Sequence, residues 1–204
     1  MVIHKNKFFI FCILFIFQLT IAQKNKALFE FQNTESVDNF LKKMKYKVNY
    51  EDVYIFRSFD GFFEYNKNGY LKGPIIYVFN SEGFFLEDIT PLEVEEKLSN
   101  FKKIEKRAKK GAVTIEEWLS KIENFKDCQI TERSSDFDYY FVLNWAIFFN
   151  KPDSINELFK WYDVLRRQKE QGQNIQIILL DMDLQDSWNL SPEKKSSILS
   201  QVNR

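Results

Sequence analysis

Two carboxylates, Asp181 and Asp183, stand two residues apart directly after the apolar run Ile177-Ile178-Leu179-Leu180. An acid pair leaving a buried parallel strand could hold Mg²⁺ or Mn²⁺ in the crevice of an open sheet, as phosphoryl or nucleotide-sugar transfer requires. No glycine-rich phosphate loop accompanies the pair, and Leu184-Gln185 follows it. The sequence therefore favours a solvated turn at a strand end and no metal site, with a divalent-metal enzyme as the rival. Histidine chemistry is excluded on simpler grounds, because the one histidine is His4, inside an N-terminal leader. Without it there is no Ser-His-Asp or Cys-His arrangement, no histidine base and no histidine metal ligand.

The leader is legible. Lys5 and Lys7 precede the apolar run 8–17, and Thr20-Ile21-Ala22 places small residues where a signal peptidase reads them. These residues predict a signal peptide, 1–22, and a mature chain from Gln23 exported to the periplasm or beyond the cell. An uncleaved anchor is the alternative and the one expected route to a membrane, but the run is shorter than the roughly 20 residues that span a bilayer. Cys12 leaves with the leader, so Cys128 has no partner for an intramolecular disulfide. Its neighbour is an acid, Asp127, rather than a base that would favour the thiolate, and a small packed hydrophobe is the expected role.

Cleavage removes two of 29 basic residues and none of 29 acidic ones, leaving a net charge near −2. That balance gives no global attraction to nucleic acid or anionic lipid. The remaining length suits one domain, 23–204, with an N-terminal extension over about 23–50.

The elements that must position any site follow from periodicity and capping. Ser36 opens a short helix that ends near Tyr46, and 53–56 is a brief strand. Asp60-Gly61 and Asn68-Gly69 predict a loop or irregular hairpin over 62–70. Residues 74–80 and 84–89 form a hairpin about Ser81-Glu82-Gly83. Thr90-Pro91-Leu92-Glu93 starts a helix expected to run to Gly111, and Thr114-Ile115-Glu116-Glu117 starts another reaching Ile122. A buried strand over 140–148, a helix from Pro152 to Gly172 and a buried strand over 175–180 should be parallel neighbours joined by a crossover. Ser191-Pro192-Glu193 caps a last helix. The whole reads as a three-layer α/β sandwich.

Val142-Leu143-Asn144-Trp145-Ala146 resembles the strand that leads exported thioredoxin-like proteins into their active helix, and the two cysteines of Cys-x-x-Cys would fall on Phe149 and Pro152. Asp181-Met182-Asp183 through Trp188 resembles their acid-rich strand exit ending in Trp. The stretch from Gly73-Pro74 to Gly83 resembles their proline-led hairpin, with Pro74 at the position that is cis and faces the cysteines. The resemblance implies a thioredoxin-like sandwich with a central mixed sheet and a β-hairpin. In the family the hairpin follows the cysteine helix, whereas here it precedes it. A circular permutation, an added N-terminal hairpin or a chance match of one motif would each give this order.

With neither cysteine present, disulfide exchange has no attacking or resolving thiol. The resemblance then implies a redox-inactive scaffold without cofactor that binds another protein or peptide. Phe148, Phe149, Asn150 and Lys151 would line its groove, with Pro74 beside them. The competing readings are that these phenylalanines are core, or that the chain is a secreted interaction, inhibitor or immunity-type protein using an aromatic loop over 59–66.

Overall fold

A computed structural model gives the chain's structure for residues 29–70, 72–126, 136–148 and 152–202. The expected leader, Cys128 and the segment 149–151 lie outside these residues. The first described elements are a two-residue strand, β1 (Phe31–Gln32), and helix α1 (Thr34–Lys43). Asn33 Oδ1 accepts the Ser36 N–H at 2.8 Å and Ser36 Oγ accepts the Asn33 N–H at 3.0 Å. This reciprocal cap, of a kind that contributes about 1 kcal/mol, starts the helix two residues before Ser36. Val37 and Leu41 are buried, so part of the expected extension packs on the core.

After β2 (Val53–Phe56) comes a correction. The expected loop is helix α2 (Phe59–Lys67). Ser58 Oγ caps it by accepting the Gly61 N–H at 3.2 Å, and the rings at 59, 62 and 65 share one face. Phe59 and Phe62 pack on Trp188 at 5.8 and 5.4 Å, and Tyr65 packs on Trp118 at 4.9 Å. Asp60-Gly61, a turn signal in isolation, is overridden by the burial of that face. Gly69, at φ 75°, makes the turn after the helix.

The hairpin forms as expected from β3 (Ile76–Asn80) and β4 (Phe85–Ile89). Gly83 turns it at φ 85°, where a side chain would also meet the Glu116 carboxylate 2.5 Å away. The long helix expected over 90–110 is shorter: α3 (Val94–Ser99) stops at Asn100, whose Oδ1 accepts the Lys102 N–H at 3.1 Å and begins a single 3-10 turn. Beyond it the backbone bonds toward β4 instead of continuing a helical ladder. Glu87 accepts the Glu105 N–H at 2.8 Å and Phe85 O accepts that of Lys109 at 2.9 Å. Helix α4 (Ile115–Leu119) begins at the expected Thr114 box but ends before Ile122, which opens strand β5 (Ile122–Asn124). Then come β6 (Tyr139–Trp145), α5 (Pro152–Glu170), β7 (Ile175–Asp181), β8 (Leu184–Gln185) and α6 (Pro192–Val202).

Six strands make one mixed sheet in the order β4-β3-β6-β7-β2-β5, and β1 pairs in parallel with β8 apart from it. β6 and β7 are parallel neighbours, as the crossover through α5 requires, and β3 runs antiparallel to β6. Alternate strand residues enter two apolar clusters. Phe141, Leu143 and Trp145 join the stripe of α5 (Leu158, Phe159, Tyr162, Leu165) together with α1 and α3 residues. Tyr140, Val142 and Ala146 join Tyr65 of α2, Trp118 of α4 and Trp188. Because both faces are covered, the central strands read as unbroken apolar runs rather than alternating ones. Truncating a ring such as the fully buried Phe159 to Ala would cost about 3–5 kcal/mol.

Candidate functional site

β6 delivers Trp145 and Ala146, both fully buried, to the edge where the chain leaves the sheet. Trp145 O accepts the Met182 N–H at 2.7 Å, and its indole Nε1 donates to Leu179 O at 3.4 Å, so the exits of β6 and β7 are tied together. Two further N–H groups point at one acid: Ile147 donates to Asp183 Oδ2 at 2.6 Å and Phe148 to Asp183 Oδ1 at 3.3 Å. Asp181 in turn accepts the Asp183 N–H at 2.8 Å and Gln185 Nε2 at 3.1 Å.

The expectation of a solvated turn is overturned. Asp181 and Asp183 are 0% and 1% exposed. The cause is non-local: β8 follows the pair immediately and is held by β1, whose register sets Phe31 against Leu184 and Gln32 against Gln185. Burial pushes both carboxyls up, and the charge of Asp181 pushes Asp183 up further, against the lowering effect of the two N–H donors. Two acids this close and this dry hold a proton between them rather than both ionising. All four carboxylate oxygens already accept hydrogen bonds from the protein. The pair therefore works as a staple between strand exits, and among the described residues no three His, Cys, Asp or Glu side chains gather as a metal set.

Pro74 reaches the same edge by a different route. Asn144, wholly buried within the apolar β6, donates through Nδ2 to Tyr70 O at 3.0 Å and Lys72 O at 3.2 Å, and the Tyr77 hydroxyl donates to Tyr70 O at 2.5 Å. These bonds fix the approach to β3. The Gly73–Pro74 peptide is cis. β3 pairs with β6 from Ile76↔Leu143 onward, and the half-buried Pro74 lies two residues before that pair as Trp145 lies two residues after it along β6.

Of the expected groove, Phe148 and Pro74 are described, while Phe149, Asn150 and Lys151 lie outside the described residues. Phe148 is half-buried with its ring 4.4 Å from that of Phe29, so the N-terminal segment covers one groove residue. Phe29, Asn144 and Gln185 complete the site and were not singled out from the sequence. Asn144 carried a usable signal, since a lone amide in an apolar strand must find partners, whereas nothing local to Phe29 indicates its contact. The rings at 59–66 belong to the core-facing helix rather than to a loop at this edge. Comparison with known proteins gives no match: no family model, no curated protein and no solved structure is similar to this chain.

Proposed function

We propose that this chain is an exported, redox-inactive thioredoxin-like protein, a circularly permuted three-layer sandwich, that binds another protein or peptide at the end of β6. The observation that carries the reading is the antiparallel pairing of β3 on β6, which reaches Ile76↔Leu143, two residues after Pro74 and two before Trp145. The resemblance requires a proline-led hairpin strand to face the start of the active helix, and strand order in space does not depend on which motif comes first in the chain. The order β4-β3-β6-β7 fits that requirement, and helix residues in both apolar clusters support three layers. Phe149 and Pro152 occupy the two cysteine positions, which leaves recognition without thiol exchange. The basic, apolar and small-residue pattern of 1–22 supports export. The packing of Phe59 and Phe62 on Trp188 favours this surface over one built from the 59–66 aromatics.

Restoring the thiols tests the placement. Phe149→Cys with Pro152→Cys, in a Cys128→Ser background, should form an internal disulfide and speed dithiothreitol-driven insulin reduction, while the wild type matches the protein-free control. A folded variant whose two cysteines never pair would remove the thioredoxin-like reading. Turnover by the wild type would remove the redox-inactive one.

A further inference from the structure

The end of α3 at Asn100 changes what the bases after it can do. Lys102, Lys103, Lys106, Arg107, Lys109 and Lys110 lie beyond the last turn of that helix rather than inside it, so its dipole does not account for them. All six are exposed, and Glu105 is the one acid among them. The stretch 102–110 carries a net charge of +5, while the rest of the chain after residue 22 holds 21 bases against 28 acids. A near-neutral total therefore hides a strongly polarised surface.

The backbone fixes where these bases stand. β4 is an edge strand, and the chain after α3 runs back along it: Glu87 takes the Glu105 N–H at 2.8 Å, Phe85 O takes that of Lys109 at 2.9 Å, and Thr114 bridges Phe84. Glu105 Oε1 accepts the Lys106 and Arg107 N–H groups at 2.8 and 2.9 Å, and the buried Ile104 anchors the start. Lys103 pairs with Glu96 and Lys109 with Asp88. Among the described residues Lys102, Lys106, Arg107 and Lys110 form no ion pair, and Asp138 shares a cavity wall with Lys106 without reaching that distance. The same rim carries the two large hydrophobic residues that the described structure leaves exposed. Phe84, 47% exposed, directly precedes β4, and Leu92, 97% exposed, lies three residues past its end.

Free cations beside an exposed apolar side chain suit a bilayer surface, where phosphate headgroups attract the bases and the apolar group enters the boundary with the acyl chains. A polyanion in water would match the bases and leave Leu92 exposed. We propose that the β4 rim is a docking surface for an anionic phospholipid bilayer, with Lys102, Lys106, Arg107 and Lys110 on the headgroup phosphates and Leu92 entering the headgroup layer. The rim lies two strands from β6 in the sheet and does not rest on the thioredoxin-like reading.

Co-sedimentation of the full chain with vesicles of phosphatidylcholine alone, and with about one third phosphatidylglycerol, tests the proposal. Residues 1–22 are common to the wild type and every variant, so the readout is the excess of binding to anionic over neutral vesicles. The wild type should show an excess of about tenfold or more at about 0.1 M salt, lost near 1 M, where the Debye length is about 3 Å. Lys106→Gln with Arg107→Gln and Lys110→Gln should lower that excess about tenfold or more, whereas Lys43→Gln with Lys47→Gln and Lys67→Gln, exposed bases elsewhere, should leave it within about threefold. Leu92→Ser should weaken binding to the anionic vesicles about fivefold. All these side chains are exposed, so the variants keep the fold. No anionic excess in the wild type, equal losses in the two triple variants, or unchanged binding of Leu92→Ser would each overturn the proposal. Capture of an oligothymidylate without an anionic excess on vesicles would assign the rim to a polyanion instead.

Discussion

Asp183 Oδ2 lies 2.6 Å from the Ile147 nitrogen, so the acid just past β7 accepts an N–H from the chain just past β6. Asp183→Ala should leave the Ile147 and Phe148 N–H groups without a partner in a dry environment and cost about 1–3 kcal/mol in urea denaturation. Asp183→Asn keeps one acceptor oxygen for Ile147 and should cost clearly less. Equal, near-zero effects of both substitutions would restore the solvated turn.

The acid pair also sets a direction for pH dependence. Both carboxyls are raised by burial, Asp183 further by the charge of Asp181, so the folded state holds a proton that the unfolded chain releases near its ordinary value of 3.8. Their contribution is complete below about pH 4 and is lost as pH rises through the folded values. The amide of Asp183→Asn mimics the protonated acid and has no proton to lose. In denaturation curves from about pH 4 to 8, the stability of Asp183→Asn relative to the wild type should therefore rise with pH. A difference that stays flat across that range would mean that the pair holds no proton.

Legibility followed the range of the interactions. β6 and β7 could be read because each is a continuous apolar run in the sequence, α5 because its apolar stripe keeps the local period of 3.6, and the Thr114 box because it spans four residues. Helix α2 was missed because Asp60-Gly61 reads as a turn alone, and only Trp188 and Trp118, distant in the chain, make its aromatic face worth burying. The helix expected over 90–110 breaks at Asn100 because Glu87 and Phe85 of β4 take the later backbone donors. Burial of Asp181 and Asp183 depends on residues 31–32 lying against 184–185, a pairing without a sequence signature. At the candidate site the strand and Pro74 were legible, whereas the cover that Phe29 provides was not.

The last prediction concerns a buried network elsewhere on α5. Asp52 is 2% exposed, and its Oδ2 accepts the Tyr162 hydroxyl at 2.8 Å while Lys169 Nζ lies 3.4 Å from Oδ1. The same hydroxyl accepts the Asn49 N–H at 2.9 Å, joining the 3-10 turn before β2 to the helix that covers β6 and β7. Burial raises the Asp52 carboxyl, and the Lys169 charge and the Tyr162 bond lower it. Tyr162→Phe removes that bond without changing ring volume, leaving the acid one partner short and the Asn49 N–H unpaired, at a cost of about 1–3 kcal/mol. Because the lost bond favours the ionised acid, the folded value of Asp52 rises in the variant, and the deficit should shrink as pH falls and Asp52 takes up a proton. Guanidinium unfolding of Tyr162→Phe, Asp52→Asn and the double variant at neutral and mildly acid pH measures both effects. The single costs should exceed that of the double when added, because each removes the same bond. Strict additivity, or a deficit independent of pH, would show that the hydroxyl and the carboxylate do not act as one unit.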